Sequence, residues 1–221
     1  MSKHPFFLRP ITSLIVAALP VLASAVLPAA ASQANTHLNF IVLKDGQPIG
    51  LHDIVVEWNG DAETVSIQTN ILVKVAYVPV YRFEHTGQEV WQNGHLVSLQ
   101  SQTNDDGDKH KLSVAAKADH LDVSGDGVSS QAEASIIPAS LWNSNLVKQS
   151  TLLNTLTGKQ MHVAVTDLGD DQIQSHGAPV KAHHYKVTGE LQRELWYDQS
   201  NTLVQIKFKA KDDSDIMYVL G

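Results

Sequence analysis

The sequence predicts a mainly β fold, an antiparallel meander curled into a half-barrel or barrel, on three observations. Turn dipeptides recur at short intervals, the stretches between them are rich in Val, Ile, Thr and aromatics, and several of those stretches alternate with period two. Hairpin-joined strands in this number must curl, because a long flat sheet leaves exposed edges. The 221 residues are 43% hydrophobic and 18% charged, which suits one substantial domain and excludes wholesale disorder.

Residues 1–34 read as a signal peptide. Lys3 and Arg9 give a basic start, Ile11 to Leu27 an apolar run broken by Pro20, and Ala29, Ala30, Ala31, Ser32 and Ala34 a small-residue exit. Cleavage fits after Ala34, with Ala31 and Ala25 as alternatives. The run is short for a membrane span of ~20 residues, so no stable span is expected after cleavage. The expected address is export, to the periplasm of a Gram-negative cell or beyond, as a soluble domain of residues 35–221. Losing Lys3 and Arg9 but none of the 23 acidic residues takes the formal charge from −7 to −9. Such an acidic chain is a poor partner for nucleic acid. There is no cysteine, hence no disulfide, thiolate ligand or thiol nucleophile.

Along the remaining chain, turns are expected at Asp45-Gly46, Asn59-Gly60, Asn93-Gly94, Asp106-Gly107, Gly125-Asp126-Gly127, Leu168-Gly169-Asp170 and Asp198 to Asn201. Ile54, Val56 and Trp58 alternate, as do Val65, Ile67 and Ile71. In Leu203 to Ala210, Val204, Ile206 and Phe208 share one face while Gln205, Lys207 and Lys209 share the other. Glu89 and Trp91 fall together on one face of their strand. From Pro138 to Leu156 the apolar residues Trp142, Leu146, Leu153 and Leu156 recur near helical spacing, which predicts one or two short helices around 138–156.

Candidate chemistry is sparse. Asp122, Ser124, Asp126 and Glu133 fall at positions 1, 3, 5 and 12 of a calcium loop, with Gly127 closing the turn and Gly125 between them. Ser129 stands where such loops place an apolar residue, and the flanks read as strands, so a polar hairpin turn is the preferred reading. Apart from that calcium loop no cofactor is implied. Ten histidines follow the leader, densest at His183-His184 with His176 nearby. Adjacent strand residues point to opposite faces, so His183 and His184 do not share a metal; a strand histidine satisfied by a neighbour is expected. Asp105, Asp106 and Asp108, and the run Asp212-Asp213-Ser214-Asp215, read as solvated hairpin tips, and no catalytic pair is assigned.

Four stretches carry a family likeness: Val42 to Gly50, Gly87-Gln88-Glu89-Val90-Trp91-Gln92-Asn93-Gly94-His95-Leu96, Pro138-Ala139-Ser140-Leu141-Trp142, and Leu195-Trp196-Tyr197-Asp198 running on to Leu203-Val204. Together, over Leu38 to Leu220, they resemble an uncharacterised family of exported bacterial proteins known as a domain of unknown function. In strand pattern it is similar to the lipoprotein-carrier-like half-barrels of the periplasm. That likeness implies a sheet curved around an apolar cavity and brings no catalytic residue to this chain.

Three functions follow as expectations. The first is a binding or carrier module for a lipid or other apolar molecule, with Trp58, Tyr81, Phe83, Trp91, Trp142, Trp196 and Phe208 lining the hollow. The second is an interaction or assembly factor whose partner is an envelope protein. The third is an enzyme acting on an envelope glycan or lipid through carboxylates or His183. An outer-membrane barrel is disfavoured by the few aromatics and by Lys207 and Lys209 on an outer strand face.

Overall fold

The computed structural model describes residues 1–2, 35–175 and 177–221, so nearly all of the signal-peptide reading, and His176, lie outside the described residues. Eight strands run as an antiparallel meander: β1 (Thr36–Lys44), β2 (Gln47–Asn59), β3 (Ala62–Val75), β4 (Val78–Gln92), β5 (His95–Asp105), β6 (Asp108–Ala116), β7 (His120–Gly125) and β8 (Val128–Glu133). A compact stretch follows with β9 (Ile137–Pro138), a five-residue 3₁₀ helix at Ser144–Lys148, and β10 (Thr151–Leu153). The meander then resumes as β11 (Gln160–Ser175), β12 (Ala178–Gly189), β13 (Arg193–Asp198), β14 (Leu203–Lys209) and β15 (Asp215–Leu220).

β15 returns to pair with β1, setting Phe40 opposite Leu220, and this one pairing joins both halves into a single 15-stranded sheet. Its order runs from β8 through β1 and β15 to β9, so the edges are β8 and β9 and the sheet is an unclosed half-barrel. Across the gap, Gln160 Nε2 donates to the Gln131 carbonyl at 3.1 Å. Hairpins sit where turn chemistry places them: at Asp45-Gly46 and Asn93-Gly94 both central residues have positive φ, the geometry that matches strand twist. Leu168-Gly169-Asp170 is not a turn. It lies inside the long strand β11, where the register slips between Asp167 and Gly169, so the glycine marks a bulge.

The concave face is filled by the chain itself. Between β8 and β11, Ile136, Ile137, Leu141, Leu146, Leu152 and Leu153 are buried against Phe40, Ile54, Val65, Leu99, Val123, Leu195 and Ile206 of the sheet. The helical spacing of 138–156 therefore yields one 3₁₀ turn, and the apolar residues around it serve as a plug. Three anchors hold that plug. Glu89 Oε2 accepts from the indoles of Trp91 (2.8 Å) and Trp142 (2.9 Å), whose rings meet edge to face. Tyr197 Oη donates to the Leu141 carbonyl at 2.7 Å. Ser101 Oγ donates to the Thr155 carbonyl. Leu141 itself has φ 69°, a left-handed conformation that costs a bulky residue energy and persists because Tyr197 pins it.

Candidate functional site

The plug leaves one part of the concave face uncovered. Register sets Phe40, His52, Thr69, His85 and Thr103 opposite one another on β1 to β5, a row running across five strands. Both histidines point inward and are only 7% exposed. Each uses Nδ1 on the threonine beside it, His52 with Thr69 Oγ1 at 2.7 Å and His85 with Thr103 Oγ1 at 2.8 Å. Burial pushes both down to about 4, and His52 is also lowered by His85. Near neutral pH the row is therefore uncharged, and each imidazole is a weak base.

His52, Thr69 and His85 form one wall of a cavity of about 130 Å³. The other walls are apolar or neutral: Ile67, Phe83, Leu141, Leu156, Ile206 and Phe208, with Ser140 from the plug and Tyr218 from β15. Tyr218 stacks at a tilt on His52 and is pushed up to about 12 by burial. Gly87 makes room here, since a Cβ on it would lie 3.3 Å from His85 Nε2. Ser140 Oγ is buried and faces the Glu89 carboxyl, so its hydroxyl belongs to the plug's polar cluster.

One charged side chain lines the cavity. The Arg193 guanidinium lies over the Phe208 ring at 3.7 Å, and its Nη1 donates to the Gln192 carbonyl at 2.8 Å. Among the described residues no carboxylate pairs with it. Burial lowers its pKa and only Tyr218 opposes that shift. An arginine carries five N–H donors, so most of this fork is unspent. A half-buried cation with open donors, beside a neutral imidazole row and apolar walls, has the chemistry to accept an anion.

A larger cleft, about 290 Å³, lies outside the sheet between Pro79–Arg82 and Asn104–Gly107. It is open, and its polar groups are already spent on each other: Tyr81 Oη donates to Asp105 and the Arg82 amide to Asp106. The smaller cavity, on the concave face, is the candidate site.

The family model of a domain of unknown function, DUF6134, matches residues 40–221. The chain belongs to that family. The match takes in every residue lining the cavity. No curated protein matches. Among solved structures, the chain is similar to a crystal structure of a beta-barrel-like protein of domain of unknown function DUF1849 from Brucella abortus, with a TM-score of 0.57 at 8% identity, covering 84% of this chain and 94% of that one. At that identity the likeness is one of fold alone.

The stretches that suggested the family converge on the plug. Glu89, Trp91 and Trp142 meet as one hydrogen-bonded group, and Tyr197 holds Leu141. Of the seven aromatics expected to line a hollow, Phe83 and Phe208 line the cavity. Trp91 and Trp142 lock the plug, and Trp58 packs on the core. Tyr81 lines the outer cleft, and Trp196 stacks on His184 with its indole donating to Asp171.

Asp122, Ser124, Asp126 and Glu133 form the β7–β8 hairpin. Asp126 accepts from the Lys111 amide and bonds His110, Asp122 bonds His120, and Glu133 stands opposite His120 across the ladder. Among the described residues no three His, Asp or Glu side chains are placed to hold a metal ion. Gly125 is there for a different reason: a Cβ on it would sit 2.0 Å from the Thr157 carbonyl, where the plug's exit crosses β7. His183 lies between Asp167 (2.6 Å) and Asp170 (2.8 Å), and His184 between Asp171 and Glu194, so each has its own carboxylates.

His52, His85 and Arg193 are the site residues that motif reasoning does not find. His52 and His85 sit singly, without a motif, and only strand register brings them together. Arg193 opens β13 with no motif around it. The readable signal was a histidine at an inward position of an alternating strand, in step with Ile54 on β2 and with Glu89 on β4.

Proposed function

We propose that this chain is an exported binding module that receives the anionic end of an apolar molecule. The observation that carries this reading is Arg193, a cation without a carboxylate partner in a cavity whose other lining groups are neutral. Ion pairing by a bound carboxylate or phosphate would offset the partial desolvation of the guanidinium, and the imidazoles supply further hydrogen bonds. Ile67, Phe83, Ile206 and Phe208 would take the adjoining apolar part. A dry cavity of roughly 150 Å³ accommodates benzene, so a site of this size holds the end of a molecule rather than a whole lipid. The basic start, apolar run and small-residue exit of residues 1–34 support export, and in a Gram-negative cell the site of action would be the periplasm.

Native mass spectrometry of the protein recovered from the periplasm tests this, with solvent extraction of what copurifies. The expected result is a chain beginning after Ala34 that carries an acidic, partly apolar adduct, lost in Arg193→Gln. A bare mass that stays bare with added carboxylates and phosphates would overturn the binding reading.

A further inference from the structure

The hairpin between β3 and β4 outruns its neighbours. Pairing with β2 stops at Ile71, opposite Gly50, and pairing with β5 stops at Phe83, opposite Asp105. Residues 72–81 therefore have only each other and Arg82 for ladder partners, while Arg82 is still tied through its amide and carbonyl to Asp106. Residues 75–81 carry no charge, and Val75, Tyr77, Val78 and Val80 are exposed, Tyr77 at 96%. Lys74 and Arg82 bracket them.

The turn at the tip is chemically unusual. Ala76 and Tyr77 both have positive φ, 48° and 69°, in a position where Asn-Gly would carry less strain. A tyrosine held in a left-handed turn, fully exposed among valines, is a group kept for contact rather than for folding.

We propose that this tip seats in the interfacial region of a lipid bilayer. Valines enter the acyl boundary, Tyr77 sits among the headgroups with its hydroxyl in water, and Lys74 lies at phosphate level, while Arg82 at the base of the hairpin is paired with Glu84 at 3.3 Å. Pairing with a second chain is disfavoured at this edge, because Pro79 has no N–H and stands opposite the charged Lys74. An apolar track leads from the tip to the cavity: Val73, Ile71 and Phe83 belong to a small cluster with Val42 and Ile216, and Phe83 lines the cavity wall. Delivery of an apolar molecule along that track rests on the binding reading above; seating of the tip does not.

The chain has no cysteine, so Tyr77→Cys and Asp61→Cys each give a single labelling site, at opposite ends of the β3 hairpins. Residues 35–221, which hold the whole sheet and its core, would carry an environment-sensitive dye at one of these positions. They would be mixed with vesicles of three parts phosphatidylethanolamine to one of phosphatidylglycerol. A blue shift and brightening at position 77 but not at position 61 is expected. Val78→Asp should reduce vesicle flotation of the unlabelled chain by tenfold or more, since about tenfold is the worth of one buried valine. Its thermal transition, and its binding of hexanoate as a small apolar carboxylate probe of the cavity, should be unchanged. No shift at 77 with vesicles, or a shift that follows protein concentration without them, would overturn the proposal, the second result marking a contact between copies. Hexanoate binding without vesicle seating removes this inference alone, and seating without hexanoate binding removes the cavity reading alone.

Discussion

Glu89 and His85 lie four positions apart on the same inward face of β4, and they end in opposite conditions. Glu89 is wholly buried, with two indole N–H groups on one oxygen and burial raising its pKa against those hydrogen bonds, and it ties Trp91 to the plug's Trp142. His85 has one nitrogen on Thr103 and a ring facing a cavity that also holds an unpaired arginine. One end of the strand uses its polar groups to hold the plug. The other leaves them available. Within one sheet, that difference separates a structural polar cluster from a receptive one.

Breaking the closed end should have the largest effect. Trp91→Ala removes a 2%-exposed indole and one donor to Glu89, and is expected to cost about 3–5 kcal/mol in denaturant unfolding. An effect below about 1 kcal/mol would mean that the plug is not held there.

Next comes acid. An unfolded histidine titrates at its ordinary value of 6.5, while folded His52 and His85 are lowered to about 4. Between those values the unfolded chain binds more protons, so stability is full above pH 6.5 and falls as pH drops toward 4. The slope is about 1.4 kcal/mol per pH unit for each histidine, and the loss reaches roughly 3 kcal/mol for each. Urea unfolding at stepped pH checks this, and His52→Gln with His85→Gln should flatten that window.

The smallest effect sharpens the contrast. Glu89→Gln keeps an oxygen for both indoles and cannot ionise. Because the folded acid has a raised pKa, its ionisation weakens the native state as pH climbs above 4.5. The amide variant should therefore be more stable than the parent at pH 8 and close to it at pH 4. Thermal unfolding at both pH values measures it.

Much of the fold was readable because strand signals are local. Alternation of Ile54, Val56 and Trp58, and dipeptides such as Asn93-Gly94, each report on a few neighbouring residues, and they placed strands and hairpins correctly. Gly169 misled because a bulge and a turn both require positive φ. Ala76-Tyr77 was invisible because its turn runs against residue preference. The cavity was the least legible part. His52, Thr69, His85 and Arg193 come from four strands, and only the register across β2 to β4 and the return of β15 to β1 brings them to one place. The same limit hid the reason for Gly125, whose constraint is the carbonyl of Thr157, 32 residues further along the chain.

The most direct test is a titration of residues 35–221 with hexanoate and with hexanol, followed by the imidazole resonances of His52 and His85 in the parent and in Arg193→Gln. Saturable shifts of both histidines with hexanoate are expected, with affinity about tenfold or more weaker for hexanol and for Arg193→Gln, the worth of a buried ion pair to arginine. Equal binding of hexanoate and hexanol, or histidine resonances that hexanoate leaves unmoved, would contradict the assignment of this cavity as a receptor for an anionic group.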